Sequence, residues 1–281
     1  MAGRGGTDLG KNNFNKMPII DKYNARADKV NSLVCVGIDS DFAKIPKRFK
    51  KMENPQFEFN KWIIDQTREY AAAFKANIAF YDARGDQGIR ELKITMDYLV
   101  EKYPDIFRVC DSKRGDIGNT NNGYVEEILD WLNFDAMTLH PYMGKESLQP
   151  FLDRKDKGLI VLCRTSNPGA GELQDLNVDG KPLWQIVAEK VRDDWNKNNN
   201  CLLVVGATVP EETKKIREVV GDMTFLMPGI GAQGGDVEAA VRAGMNSEKK
   251  GLIINSSRGI IFAENPAEEA RKLRDEINKY R

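Results

Sequence analysis

The chain has 281 residues, with 42 basic residues against 42 acidic ones, and 41% of it is hydrophobic. Zero formal charge excludes a dedicated nucleic-acid binder, which carries a basic excess or stripe, and supplies no polybasic membrane patch; no apolar run approaches the roughly 18 residues that span a bilayer. The hydrophobic content excludes a disordered chain, and the single histidine, His140, excludes a multi-histidine metal site.

Residues 1–17 are rich in Gly, Asn and Lys and aperiodic, which predicts a flexible arm without the apolar stretch of a secretory signal. Past it, residues 18–281 alternate short apolar, β-rich runs with longer amphipathic stretches. The runs are Ser32–Ile38, Ala73–Phe80, Phe107–Asp111, Ala136–Leu139, Leu159–Cys163, Cys201–Val205, Thr224–Met227 and Leu252–Asn255. Helical patterns lie at Gly123–Leu132, Pro182–Trp195, Pro210–Val220 and Pro266–Tyr280. Near-continuous apolar strands alternating with helices predict a parallel sheet covered by helices. About eight such repeats in ~250 residues fit a single (β/α)8 TIM barrel better than an open doubly wound sheet. Length alone allows two domains at roughly 150 residues each, but no composition break marks a second one. Thr165–Gly180 reads as a long Gly/Pro-rich loop of the functional kind, and Trp131 and Phe134 read as helix-packing residues. The cysteines, Cys35, Cys110, Cys163 and Cys201, form no CxxC pair and sit in or beside apolar runs, which predicts buried, reduced thiols and a cytoplasmic location.

In such a barrel the chemistry gathers at the C-terminal strand ends. Polar residues concentrate there: Asp39 after the first run, Lys75 and Asn77 on one face of the second, Asp111, Lys113 and Asp116 at the end of the third. Lys75 lies inside the apolar segment FKANIAF, where an unpaired lysine is costly. It must pair with carboxylates, and a lysine held between carboxylates stays protonated. Lys75, Asp111, Lys113 and Asp116 therefore form a candidate catalytic set, supplying a proton donor or an electrostatic stabiliser of a developing anion. The competing reading makes DSKRGD a charged surface turn. The segments PGIGAQGG and NSSRGI follow the seventh and eighth runs, the usual phosphate-binding strands of this architecture. Their glycines let backbone N–H groups approach an anion, Gln233 can donate, and Arg258 offers a charged fork; ordinary glycine turns are the competing reading. Gly229-x-Gly231-x-x-Gly234 fits a dinucleotide pattern, but no acidic residue ends the next strand; Gly5–Lys11 fits a P-loop pattern, but Asn12 replaces Ser/Thr and no strand precedes it. His140, in LHPYMG, reads as a packed histidine, since the Lys/Asp set already supplies a proton.

DSKRGDIGNT resembles the D-x-K-x-x-D-I segment of the orotidine 5′-phosphate decarboxylase family, and FKANIAFY, LCRTSNPGAG, PGIGAQGG and NSSRGI are similar to that family's other segments, in the same order. The likeness runs from about Ser32 to Phe262 and points to the longer bacterial-type form. It implies a cofactor-free decarboxylase that converts orotidine 5′-phosphate to uridine 5′-phosphate in pyrimidine biosynthesis. Lys113 would protonate C6, Asp111 would face the substrate carboxylate and hold Lys113, and Lys75 would join the charge network and contact the ribose. Asp39 would bind ribose hydroxyls, Asn77 would support that region, and Ser166 would read the pyrimidine. Gln233 and Arg258 would hold the phosphate, and Pro228 would line the pocket, with Ile117, Gly231 and Ser257 among the substrate contacts. Asp116 and Thr120 would reach into the neighbouring subunit's site, which implies a homodimer with shared sites. No orotate phosphoribosyltransferase segment is matched, so a monofunctional chain is expected.

The D-x-K-x-x-D motif also occurs in related sugar-phosphate decarboxylases, which typically use Mg2+. A Schiff-base aldolase using Lys113 is disfavoured because flanking carboxylates keep that amine protonated. A non-catalytic nucleotide-phosphate binder would not need buried like charges near an anionic ligand.

Overall fold

The computed structural model describes residues 17–230 and 236–281. The expected arm, Met17 aside, lies outside the described residues, as do Gly231 and Gln233. The strands in chain order are β1 (Val34–Gly37), β2 (Ala73–Asn77), β3 (Phe107–Arg114), β4 (Ala136–Leu139), β5 (Gly158–Arg164), the short β6 (Asn177–Val178) and β7 (Lys181–Pro182), then β8 (Cys201–Val205), β9 (Phe225–Pro228) and β10 (Leu252–Ser256). The eight longer strands close into a parallel barrel in which β10 pairs back onto β1. Each coincides with one of the eight apolar runs, because a strand walled by helices outside and side chains inside has no wet face to encode. β1, β4, β8 and β10 are buried at every position.

Helices sheathe the outside. Pro210–Val220 and Pro266–Ile277 both open on a proline at the first turn, and Asn265 caps the second by accepting the Glu268 N–H at 3.1 Å. Two expected helices change pitch. The Gly123–Leu132 pattern is an α-helix to Tyr124 and a π-helix over Val125–Trp131, and Pro182–Trp195 is α over Leu183–Lys190 and π over Val191–Trp195. Wide turns of this kind answer to local packing, which residue periodicity does not encode. Phe134 is fully buried as expected, but Trp131 is exposed; it falls off the face that buries Val125, Ile128 and Leu129. The Thr165–Gly180 stretch is not structureless. It holds a 3-10 turn at Pro168–Ala170, a helical turn at Gly171–Gln174 and the first strand of the β6/β7 hairpin. Arg164 clips it back to the barrel through Asp175 at 3.1 Å. All four cysteines are buried and unpaired, and burial pushes the Cys35, Cys163 and Cys201 thiols up to about 12. Among the described residues no helix is long and apolar enough to cross a membrane.

The N-terminal ends of the strands are tied by one carboxylate. Asp135, just before β4, accepts from Lys22 Nζ at 2.6 Å, from Arg108 Nη2 at 2.7 Å and Nε at 3.0 Å, and from the Arg108 backbone N–H at 2.9 Å. Burial alone would raise this carboxyl, but Arg108 and Lys22 outweigh it and hold it below the ordinary carboxylate range. Its stabilising contribution is therefore present above the unfolded-state value of about 3.9 and is lost as pH falls through the lower folded value. Asp135→Ala strands two buried cations and is expected to cost about 3–5 kcal/mol in urea unfolding at pH 7, while the folded fraction keeps its turnover because the open end of the barrel is untouched.

Candidate active site

At the C-terminal ends of the strands lies a cavity of ≈ 350 Å³, inside the roughly 300–1,000 Å³ range of small-ligand sites. Every barrel strand, or the loop leaving it, contributes to the lining. Four charged side chains form a chain across the floor. Lys75, on β2, is 2% exposed. Its Nζ lies 3.1 Å from Asp111 Oδ2 on β3 and 3.6 Å from Asp39 Oδ1 beyond β1. Asp111 Oδ1 in turn takes the Lys113 ammonium at 2.5 Å and the Thr138 hydroxyl at 3.1 Å. The Lys113 side chain is half exposed and carries its charge into the cavity.

The backbone imposes this order. Register pairs Gly37 with Lys75 and Asn77 with Asp111, so neighbouring strands bring opposite charges side by side. Asp39 is fixed from two sides: Oδ1 accepts the Asn77 backbone N–H at 3.0 Å and Oδ2 accepts the Ser257 hydroxyl at 2.7 Å. Gly37 makes room for the second contact, since a Cβ there would stand 1.8 Å from Ser257 Oγ. His140 packs as expected: its Nε2 lies 2.7 Å from the Gly115 carbonyl, bracing the loop after β3.

Electrostatics follow from this geometry. Burial opposes charge on Lys75, but Asp39 and Asp111 more than offset it and hold the ammonium above its usual range. Burial likewise pulls the Asp111 carboxyl up, and Lys75 and Lys113 overturn that, holding it well below the usual carboxylate range. Lys75 is therefore an ammonium and Asp111 a carboxylate at neutral pH. Arg258 lies across the cavity, exposed and without an ion-pair partner among the described residues.

Of the sequence candidates, Asp39, Lys75, Asn77, Asp111, Lys113, Ser166, Pro228, Ser257 and Arg258 line this one cavity. Asp116, Ile117 and Thr120 do not. They lie on the loop and helix start beyond β3, where Asp116 Oδ1 accepts the Ile117 N–H at 2.6 Å, and Asp116 joins no ion pair among the described residues. Sequence reasoning missed Thr138, whose hydroxyl contacts both Asp111 and Lys113, and Asn255, whose buried Oδ1 has no hydrogen-bond partner among the described residues. A polar side chain inside an otherwise apolar strand was the available signal in AMTL and LIIN.

The family model for the orotidine 5′-phosphate decarboxylase / HUMPS family matches residues 32–273. The chain belongs to that family. It is 48% identical over 271 residues to the orotidine 5′-phosphate decarboxylase of Cellvibrio japonicus (strain Ueda107), covering 93% of this chain and 98% of that one. It is also 48% identical over 271 residues to that of Janthinobacterium sp. (strain Marseille), covering 94% and 99%. Among solved structures, Leishmania donovani OMP decarboxylase superposes with a TM-score of 0.85 at 39% identity, covering 94% of this chain and 99% of that one. These curated relatives are named orotidine 5′-phosphate decarboxylase, a carboxy-lyase, and this chain is a carboxy-lyase.

Lys75→Met leaves Asp39 and Asp111 facing one another without the central cation. At pH 7 this is expected to cost about 3–5 kcal/mol. The penalty shrinks toward pH ~4, because protonation relieves the variant's unpaired carboxylates, while the wild-type Asp111, held well below the usual range, keeps its contribution down to about that pH. Urea titrations of both proteins at the two pH values measure the difference.

Proposed function

We propose that this chain decarboxylates orotidine 5′-phosphate to uridine 5′-phosphate in pyrimidine biosynthesis, without a cofactor, with Lys113 as the proton donor. The observation that carries the reading is the alternating Asp39–Lys75–Asp111–Lys113 array at the mouth of a barrel of this family. It is supported by relatives of 43–48% identity that are named for this activity.

In this mechanism the C6–carboxylate bond breaks, its electron pair stays on C6 and CO2 leaves. Lys113 Nζ then gives a proton to C6, and the neutral amine regains one from water. Before transfer, the fixed ammonium stabilises the charge growing on C6, in a site whose dipoles are already oriented. Asp111 both holds Lys113 and repels the substrate carboxylate. At ~4 Å and an effective dielectric near 20 that repulsion is about 4 kcal/mol, a minority of the ~8–23 kcal/mol that enzymes supply. Carbanion stabilisation by Lys113 therefore outweighs it.

Arg258 and Gln233 would hold the phosphate, Pro228 and Gly231 would line the bound nucleotide, and Ser166 would read the pyrimidine. Asp39, Asn77, Ser257 and Lys75 face the ribose in this reading. Binding the phosphate, remote from C6, would drive closure of the loop after β5 and exclude water. The position of Asp116, Ile117 and Thr120 outside their own chain's cavity supports a homodimer in which Asp116 and Thr120 complete the partner's site; Ile117 is 57% exposed, an apolar side chain suited to such an interface. The buried thiols suit a cytoplasmic enzyme.

The ultraviolet absorbance change of orotidine 5′-phosphate with purified protein tests the reading, and turnover is expected to survive EDTA. Lys113→Ala is expected to abolish turnover while uridine 5′-phosphate still binds; near-normal turnover would overturn the assignment. Arg258→Ala is expected to lower kcat/KM about 100-fold, on the scale of a lost charge-assisted contact of ~3 kcal/mol.

A further inference from the structure

β3 and β4 fall out of step beside the site. Cys110 pairs with Met137 and Arg114 with Leu139, so Asp111, Ser112 and Lys113 all stand opposite Thr138. That single residue meets all three. Its hydroxyl lies 3.1 Å from Asp111 Oδ1 and 2.8 Å from the Lys113 backbone nitrogen, and its carbonyl accepts the Ser112 hydroxyl at 3.0 Å. The roles are forced. A carboxylate only accepts and an amide N–H only donates, so the one hydroxyl hydrogen goes to Asp111 and an oxygen lone pair takes the Lys113 N–H.

Lys113 also sits at φ +47°, in the left-handed region that a residue with a Cβ rarely adopts. Such a conformation persists only where the surroundings over-determine it. Here the restraints are the Thr138 hydroxyl on the amide and the Asp111 carboxylate on the ammonium, and the same hydroxyl holds that carboxylate. Thr138 is 1% exposed, so in the intact protein its hydrogen bonds are sheltered from water.

We infer that Thr138 is a positioning residue for the decarboxylation proposed above: it locks the bulge that aims Lys113 at the reacting carbon and holds Asp111 against it. The inference rests on that functional reading, but its structural half is testable without turnover. Thr138→Val keeps the shape and loses the hydroxyl, Thr138→Ala is a second hydroxyl-free variant, and Thr138→Ser keeps the hydroxyl and loses the methyl. The hydroxyl-free variants are expected to lose about 10- to 100-fold in kcat with KM within about threefold of wild type, the mark of a misaimed reacting group. Thr138→Ser is expected to restore most of kcat. In amide hydrogen exchange, the Lys113 N–H should exchange about tenfold faster in Thr138→Val than in wild type or Thr138→Ser, since its hydrogen-bond partner is gone. Wild-type kcat in Thr138→Val, equal losses in the serine and valine variants, or unchanged exchange at Lys113 would each overturn the inference. A wild-type protein inert toward orotidine 5′-phosphate would instead defeat the functional reading and leave the exchange comparison standing.

Discussion

A lysine buried between two carboxylates governs the open end of this barrel. Taking the Lys75 ammonium out of water costs several kcal/mol unless opposite charge stands on its neighbours. Asp39 and Asp111 stand there because β1, β2 and β3 are in one particular register. A slip of one residue in β2 or β3 would turn its charged side chain toward the helices. The electrostatics of the site and the alignment of the sheet are therefore a single constraint, and the remaining polar contacts, Ser257 and Asn77 on Asp39, Thr138 on Asp111, complete the hydrogen bonding that buried carboxylates require.

The two ends of the barrel solve similar problems to different ends. Each buries a carboxylate flanked by two cations: Asp135 by Lys22 and Arg108, Asp111 by Lys75 and Lys113. At the N-terminal end both cations are themselves buried, and Arg108 engages the carboxylate through its planar fork. That arrangement is saturated and serves stability. At the C-terminal end one cation is buried and the other is half exposed. Asp111 thus grips a lysine that is still free to meet a ligand. The left-handed backbone of Lys113 falls at this end, directly beside the carboxylate its ammonium meets.

The eight strands were legible because burial on both faces leaves continuous apolar runs, and Lys75 stood out as a charge such a run cannot tolerate alone. Asp111 and Lys113 were legible as a spacing of two, although the structure joins them through a bulge and not through regular alternation. What sequence hid depends on relations between strands. Thr138 looks like an ordinary β-branched strand residue until β3 slips against β4. Asp39 was legible as a ligand contact but not as the second clamp on Lys75. Asp116 looked like a fourth member of the charge set because it is near in sequence, but the loop after β3 carries it away from its own cavity. The π turns and the exposed face of Trp131 reflect packing that no periodicity records.

The Ser257–Asp39 hydrogen bond spans 218 positions of sequence and joins the last barrel strand's exit to the first's. It crosses the seam along which β10 meets β1, the final pairing that turns an open sheet into a ring. A nascent chain still short of β10 can place Lys75 beside Asp111 but leaves Asp39 with only one of its two anchors, the Asn77 N–H. Ring closure and completion of the hydrogen bonding around Asp39 are thus one event, and the carboxylate beside Lys75 is fully held only once the sheet has met itself.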